Sequence, residues 1–125
     1  MTDKLIKSKK RVKEQGEVYT PPELVNEMLD RLPQEMWRPE ETFLDPACGN
    51  GNMLVEVVRR KIENKSCPLQ AIATTYGIDI MEDNVAETKE RLLDFTDRSE
   101  EAYYWVNKNI KCANSLEVDW EELFK

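Results

Sequence analysis

The residues best suited to chemistry lie where a short apolar run gives way to a glycine-rich loop. Thr42–Leu44 is followed by Asp45, and the loop then carries Gly49 and Gly51. Apolar residues return at helical spacing from Met53 onward, which predicts a strand, a tight loop and a helix. In α/β proteins such a loop lies at the carboxyl edge of the sheet, where ligands bind. Its glycines let backbone N–H groups approach a ligand closely.

A second acid, Asp79, lies near the end of the next predicted strand. In dinucleotide-binding folds the acid at this position accepts hydrogen bonds from ribose hydroxyls. Asp45 can hold a cationic group of a ligand through a charge-assisted bond. No Gly-Lys-Ser or Gly-Lys-Thr follows the glycines, which disfavours a phosphate-binding loop. Two acids at one edge predict a site for a nucleoside with a positive centre; each acid alone is equally well explained as an exposed carboxylate.

The composition excludes several kinds of active site. The sequence has no histidine, which removes Ser–His and Cys–His nucleophile pairs and histidine metal ligands. Its three cysteines, Cys48, Cys67 and Cys112, are widely spaced and form no C-x-x-C pair. Neither a disulfide framework nor a zinc site is therefore indicated. We predict buried free thiols, and assign no catalytic residue and no metal ligand.

Length and charge indicate one small domain with a distinct N-terminus. At 125 residues the chain can form a single core. Residues 1–15 carry six Lys or Arg against two acids, a net charge of +4, and the remaining residues carry −11. We predict a basic flexible arm at 1–15 and a folded domain at 16–125. The arm either contacts DNA phosphates or is a solvated terminus without function. No membrane-length apolar run and no signal-peptide pattern occurs, which predicts a cytoplasmic protein without membrane contact.

The predicted elements alternate between helices and strands, which is typical of an α/β fold. Thr20 and Glu23 form a capping box before a helix whose predicted apolar face contains Leu24, Val25, Met28, Leu29 and Leu32. The later predictions are strand one at 42–44, a helix at 52–63, strand two within 71–80, a helix at 82–95, strand three at 109–113 and an amphipathic turn at 118–124. Residues 102–106 fit either a helix or an edge strand.

Three strands joined by helices predict a parallel sheet. Because βαβ connections are right-handed, the expected strand order is 3-2-1. The loops that follow Asp45, Asp79 and Ala113 then lie at the same carboxyl edge and line one crevice.

Four segments together resemble the S-adenosylmethionine-dependent DNA adenine-N6 methyltransferases. Residues 43–54 resemble the Asp-Pro-x-Cys-Gly-x-Gly loop of that family, and residues 16–21 resemble its upstream Gly-x-x-Tyr-Thr-Pro segment. Residues 77–80 and 114–116 are similar to its strand-two and strand-three motifs. The resemblance covers most of the chain and implies a partial Rossmann-like fold of the class I methyltransferase type.

The resemblance also implies a set of cofactor-binding residues for S-adenosyl-L-methionine or S-adenosyl-L-homocysteine. Tyr19 and Thr20 would lie against the methionine end of the cofactor. Asp79 would hold the ribose hydroxyls, and Ile80 would lie against the adenine. The remaining implied contacts are Asp45, Pro46, Ala47, Gly49, Gly51 and Asn52 in the glycine loop, with Asn114 and Leu116 near the adenine ring.

The sequence departs from the family at the catalytic motif. An Asp/Asn/Ser-Pro-Pro-Tyr/Phe/Trp segment should follow a fourth strand, but the Pro-Pro pair of this sequence is Pro21-Pro22, between Thr20 and Glu23. In the family that motif holds the amino group of the extruded adenine and stacks on its ring. The resemblance therefore implies cofactor binding without by itself implying methyl transfer.

The departure also has a structural consequence. In the family strand one pairs with strand four, so a sheet of three strands leaves strand one as an exposed edge. Natural proteins normally cover such edges. We expect a second copy, a partner methyltransferase subunit or the chain's own ends to cover it.

Two functions from different classes follow. The first is a cofactor-binding part of an adenine methyltransferase, acting in DNA methylation or restriction–modification and completed by a partner chain. The second is a non-catalytic interaction protein that docks on a methyltransferase or restriction complex, or acts as an acidic decoy. A small-molecule methyltransferase is disfavoured, because the Asp-Pro-x-Cys-Gly form belongs to the nucleic-acid branch.

Overall fold

A computed structural model of the protein describes residues 19–125. The predicted basic arm at 1–15 lies outside the described residues. The chain forms a three-stranded parallel sheet from β1 (Phe43–Asp45), β2 (Thr75–Asp79) and β3 (Ile110–Cys112). The strand order β1-β2-β3 confirms the predicted 3-2-1 sheet of an α/β, partial Rossmann-like fold. Helices precede, connect and follow the strands.

The described residues contain six α-helices and a short 3₁₀ turn. The helices are α1 (Pro22–Asp30), α2 (Asn52–Glu63), α3 (Pro68–Ala73), α4 (Glu82–Leu93), α5 (Glu100–Asn109) and α6 (Trp120–Leu123), with the 3₁₀ turn at Gln34–Trp37. The boundaries of α2 agree with the predicted helix at 52–63. No helix within residues 19–125 combines the length and apolar character needed to cross a membrane.

Helix α1 differs from its prediction at the N-terminus and on its apolar face. Its N-cap is Pro21, with no side-chain capping bond, so the capping box predicted from Thr20 and Glu23 is wrong. Pro21 has extended backbone (φ −68°, ψ 153°), and the helix therefore begins one residue later, at Pro22. Only part of the predicted face is buried. Val25 and Leu29 pack against Trp37 and Val57, whereas Leu24 and Met28 are exposed.

A short helix precedes β2, and β2 itself lies within the predicted range 71–80. Residues 71–73 belong to α3, which begins at Pro68 and is capped by the Cys67 side chain. Proline at the first helical position and a side-chain cap favour this short helix over an extended run. The undecided segment at 102–106 is also helical, because Ser99 caps α5. Strand β3 is correspondingly shorter than predicted, since Asn109 still belongs to α5.

The prediction of three buried thiols is wrong for two cysteines. All three thiols are free, but only Cys48 is buried, whereas Cys67 and Cys112 are exposed. Cys67 caps α3 and Cys112 lies at the end of β3, two surface positions that sequence spacing does not reveal.

A larger hydrophobic core joins the helices to the sheet. Its buried members are Cys48, Leu54, Val55, Val58, Ala71, Ile72, Val85, Leu92, Leu93, Ala102, Val106 and Ile110. Burying one such aliphatic side chain contributes about 1.5–3 kcal/mol. At the end of the chain, Phe124 packs edge-on against Tyr76 of β2, with ring centroids 5.1 Å apart. Phe124 therefore packs on one face of the sheet at its central strand, although no side chain of α6 is buried.

Lys61 of α2 is a fully buried charge in the fold. Its Nζ donates to the Glu41 carbonyl and to Thr74 Oγ1, which connects the residues before β1 to those before β2. Burial lowers the pKa of the Lys61 ammonium, and the neighbouring Glu41 raises it. The lysine thus fixes the start of both strands whose opposite ends form the candidate site.

Candidate functional site

The two acids singled out in the sequence lie at one edge of the sheet. Asp45 ends β1 and Asp79 ends β2, and these strands are adjacent and parallel. The glycine loop that follows Asp45 is held to β2, because the Cys48 N–H donates to the Ile78 carbonyl at 2.9 Å. Asp45 Oδ1 accepts the Ala47 N–H at 3.1 Å, which closes a turn around Pro46. Pro46 itself is exposed at this turn.

Both glycines of the loop adopt backbone angles that disfavour other residues. Gly49 has φ +55° and Gly51 has φ +93°. A Cβ added at Gly51 would lie 3.1 Å from Thr88 Oγ1, and one at Gly49 would lie 3.4 Å from the Tyr19 ring. Gly51 is also the residue before α2. The loop thus needs glycine for its conformation and, at Gly51, for space as well.

Asp79 fixes this loop from within the protein. Its side chain is 8% exposed. Oδ1 accepts the Gly49 N–H at 3.1 Å, and Oδ2 accepts the Met81 N–H and Asn84 Nδ2, each at 3.0 Å. A carboxylate offers about four acceptor positions, so three of them are used by the protein. The role predicted for Asp79 toward ribose stays a prediction, whereas its role in shaping the glycine loop is visible in the structure.

The upstream segment lies directly against the glycine loop. The Tyr19 hydroxyl donates to Asn84 Oδ1 at 3.0 Å, and Asn52 Nδ2 donates to the Thr20 carbonyl at 2.8 Å. These contacts join residues separated by 65 and 32 positions along the chain. Two of the sequence segments that carry the resemblance are therefore brought together in one place.

A small cavity of about 110 Å³ lies between these segments. It is lined by Tyr19, Thr20, Asp45, Ala47, Cys48, Gly49, Asn50, Asn52 and Met53. A larger groove of about 490 Å³ runs between α1 and α2, where Trp37 and Arg60 lie among charged and amide side chains. That groove contains none of the residues singled out in the sequence, so the smaller cavity is the candidate site.

The residues predicted near an adenine lie outside the cavity. Ile80 is 60% exposed and Leu116 is 94% exposed, both in loops that follow strands at the carboxyl edge. Asn114 Oδ1 accepts the Leu116 N–H at 3.0 Å and shapes the loop after β3. Their exposure leaves the side chains of both residues accessible to a ligand. Their contact with an adenine stays a prediction.

The electrostatics of the cavity are set by the paired acids. Burial raises the pKa of Asp45; the Ala47 N–H lowers it, and the nearby Asp79 raises it further. Burial also raises the pKa of the Cys48 thiol to about 12, and Asp45 and Asp79 add to this shift. Cys48 is therefore a neutral thiol at physiological pH, which makes it unsuited to act as a nucleophile. Within residues 19–125, no group of three or more Cys, Asp or Glu is arranged to hold a metal ion.

Asp45 should make the free protein less stable at neutral pH. Its folded-state pKa lies above the ordinary value of an aspartate, so the folded state binds a proton more readily than the unfolded state. The protonated form of Asp45 is favoured by the fold, and this contribution to stability is lost as Asp45 ionises when the pH rises through its raised pKa. We expect Asp45→Asn to raise the urea midpoint at pH 7 and to lose this advantage below about pH 4. An equal or lower midpoint at pH 7 would contradict the conclusion that partial burial disfavours the charged form of Asp45.

The cysteines offer a direct check of the loop structure. Cys67 and Cys112 are exposed, whereas Cys48 is buried and has a raised pKa. Desolvation and the nearby Glu82 and Asp79 also raise the pKa of Cys112, so this accessible thiol should react slowly. Because only the thiolate reacts, we expect mass spectrometry after maleimide treatment of the native protein to show two adducts, at Cys67 and Cys112. Cys48 should react only after unfolding in urea. Rapid native modification of Cys48 would mean that the glycine loop is open.

Sequence reasoning missed three residues of α4 that hold the loop. They are Asn84, Thr88 and Arg91, which we call the α4 polar stripe. Their spacing of four and three residues places them on one helix face. Asn84 and Thr88 are buried at 3% and 0% exposure, as are the apolar residues Val85, Leu92 and Leu93 of the same helix. The sequence signal that could have revealed them is the presence of polar residues at the spacing expected for the buried face of a helix.

The parallel sheet and the glycine loop that follows its first strand define a Rossmann-like α/β domain with a ligand-type crevice at the carboxyl edge. The sequence matches the family model of the N-6 DNA Methylases over residues 5–119. The chain therefore belongs to the N-6 DNA Methylase family, which confirms the family predicted from the four sequence segments.

One relative gives a closer comparison. The chain is similar to the type II methyltransferase M.VspI of Vibrio sp. (strain 343), with 38% identity over 78 residues. The matched segment is 62% of this chain and 17% of M.VspI, so the chain spans only a small part of that relative's length. No solved structure matches the chain.

Proposed function

We propose that residues 16–125 bind S-adenosyl-L-methionine as the cofactor-binding part of a DNA adenine-N6 methyltransferase. The observation that carries the proposal is the bond from Asn52 Nδ2 to the Thr20 carbonyl. It joins the upstream segment to the glycine loop, so that the residues predicted at the methionine end line one cavity with Asp45. Family membership supports the choice of cofactor.

The chemistry of the cavity fits this cofactor. Asp45 Oδ2 receives no hydrogen bond from residues 19–125, and Asp79 lies close enough to raise the pKa of Asp45. A pair of acids with one unpaired carboxylate oxygen favours a ligand that carries ammonium and sulfonium charges. Asp45 would accept hydrogen bonds from the ammonium group. Bound there, the cofactor supplies an activated methyl group.

The wider end of the site would take the nucleoside. Ile80, which follows Asp79, and Leu116, in the loop after β3, present exposed apolar side chains, and Asp79 retains one acceptor position. We propose that the adenine packs on Ile80 and Leu116 near Asn114, and that a ribose hydroxyl reaches Asp79. Ordering of the loop after β3 around the base would complete this end.

The groups that act on the target adenine are proposed to lie outside these 125 residues. The sequence contains no Asp/Asn/Ser-Pro-Pro-Tyr/Phe/Trp segment, and the matched part of M.VspI is 17% of that protein. Extrusion and holding of a base require such groups. We propose that further polypeptide, in the same or another chain, supplies them, and that residues 1–15 contact DNA phosphates.

The free edge of β1 is the proposed place of contact with that polypeptide. Among the described residues β1 pairs with β2 alone, and uncovered edges favour strand addition. We expect light scattering of the 125-residue protein to show a dimer or larger species, with slow amide exchange at Leu44. The Phe43 N–H already donates to the Thr74 carbonyl on the β2 side, so the alternation along β1 turns the Leu44 N–H toward the free edge. A monomer whose Leu44 amide exchanges freely would contradict this.

Isothermal titration tests the cofactor proposal. The protein should bind S-adenosyl-L-methionine and S-adenosyl-L-homocysteine at one site per chain, and adenosine, which lacks the ammonium group, should bind much more weakly. Absence of binding for both cofactor forms would reject the proposal and leave an interaction protein as the remaining function. Equal binding of adenosine would reject the role of Asp45.

A further inference from the structure

We propose that the α4 polar stripe positions the cofactor site from behind, with Arg91 as its most important member. This inference rests on the proposed function. None of the three stripe residues lines the 110 Å³ cavity, yet each bonds to a residue that does. The Tyr19 hydroxyl donates to Asn84, and Thr88 Oγ1 donates to the Gly49 carbonyl at 3.0 Å. The stripe therefore positions residues that line the cavity, without itself contacting a bound ligand.

Arg91 holds two acceptors of the glycine loop with one nitrogen. Its Nη1 donates to the Asn50 carbonyl at 3.0 Å and to Asn52 Oδ1 at 2.8 Å. An amide side chain has its oxygen and its NH₂ group on opposite branches. With the oxygen of Asn52 turned toward Arg91, the NH₂ group faces Thr20. Arg91 thus acts on the upstream segment through Asn52.

Burial makes these bonds specific for one loop conformation. Thr88 is fully buried and Asn84 is 3% exposed, and Asn84 Nδ2 also donates to Asp79. A buried polar group that loses its partner costs more than the bond contributes when formed. Loop conformations that turn the Gly49 carbonyl away from Thr88 are therefore disfavoured. Thr88 also packs against Gly51, since a Cβ there would meet Thr88 atoms at 3.1–3.3 Å.

The test compares Arg91→Met and Arg91→Lys with a matched control, Arg59→Met. Arg59 lies over Phe95 and pairs with Glu56, so its loss removes the same charge without touching the loop. S-adenosyl-L-homocysteine is the probe because its sulfur is neutral. Removal of a positively charged arginine therefore changes the long-range electrostatic attraction between protein and ligand only a little. We expect Arg91→Met to weaken binding about tenfold or more. Arg91→Lys, which keeps a donor, should recover part of the affinity, and Arg59→Met should bind as wild type.

Amide exchange of the free protein provides the readout that a general loss of stability would not reproduce. The Gly49 N–H is bonded to Asp79 and the Gly51 N–H to the Cys48 carbonyl, so both are protected in the intact loop. Arg91→Met should speed exchange at these two amides and leave the core of β2 protected. Thr88→Val, which conserves the shape of the side chain, should speed amide exchange at Gly49. This variant tests the proposal if Arg91→Met does not fold.

Three results would overturn the inference. They are unchanged affinity in Arg91→Met, acceleration of exchange throughout the protein instead of at the loop, and an equal effect of Arg59→Met. Failure of the wild-type protein to bind the probe would reject the proposed function, whereas the exchange comparison would still decide whether the stripe holds the loop.

Discussion

Replacing Asp45 by alanine is expected to weaken S-adenosyl-L-methionine binding about a hundredfold. Asp45 lines the cavity, and its Oδ2, which accepts no hydrogen bond from residues 19–125, can accept one from a cationic group. Hydrogen bonds to charged groups contribute about 1.5–3 kcal/mol each, and each 1.4 kcal/mol is a factor of ten in affinity. Binding of the wild-type protein should also weaken at low pH, as Asp45 gains a proton through its raised pKa. Isothermal titration across pH measures both effects.

The matched control is Asp94→Ala. Asp94 is an exposed acid just after α4 that pairs with Arg98, away from the cavity. Its replacement should leave affinity unchanged. Asp45→Asn should lose affinity while gaining stability at pH 7, so a fall in affinity cannot be attributed to unfolding. Wild-type affinity in Asp45→Ala would show that the cofactor binds elsewhere.

The second large effect is expected at Gly77, in the middle of β2. A Cβ there would lie 2.6 Å from Leu54 Cδ1 and 3.2 Å from Cys48, both in the core. Gly77→Ala should therefore force a buried side chain to move, which costs about 1–3 kcal/mol. Since small domains are stable by only about 5–15 kcal/mol, the urea unfolding midpoint should fall measurably.

A double-mutant cycle assigns this cost to the proposed contact. Leu54→Ala alone should destabilise by about 2–5 kcal/mol, because Leu54 is fully buried. In the Gly77→Ala background the same change should cost less, since the shortened side chain leaves room for the new methyl group. Additive effects would show that Leu54 does not set the requirement for glycine at this position.

The sequence predicts the frame of the fold because its strongest signals are local. The glycine loop and the apolar spacing from Met53 onward locate α2 and order the three strands. The failures occur where local signals compete. The short helix α3 before β2 was not predicted, because its start depends on Pro68 and on the cap from the Cys67 side chain. At α1, two adjacent prolines move the N-cap from Thr20 to Pro21, so Thr20 and Glu23 are no longer at the spacing of a capping box.

The residues of the site are predicted less completely than the fold. Asp45, Gly49 and Gly51 can be recognised from the sequence by their residue types and their spacing at the end of a strand. Asn84 and Arg91 cannot be recognised in this way, because their function comes from contacts with residues 39–65 positions away in the sequence. Such contacts depend on how α4 packs against α2, which no local pattern specifies. Tertiary structure was needed to reveal that Asp79 holds the loop.

Mapping the ligand on the protein by NMR tests the central claim most directly. On titration of ¹⁵N-labelled protein with S-adenosyl-L-methionine, the amide signals of Thr20, Ala47, Gly49 and Gly51 should shift most. Those of Asn64 and Asp30, beside the larger groove between α1 and α2, should stay in place. Shifts confined to that groove, or no shifts at cofactor concentrations in the millimolar range, would contradict the account.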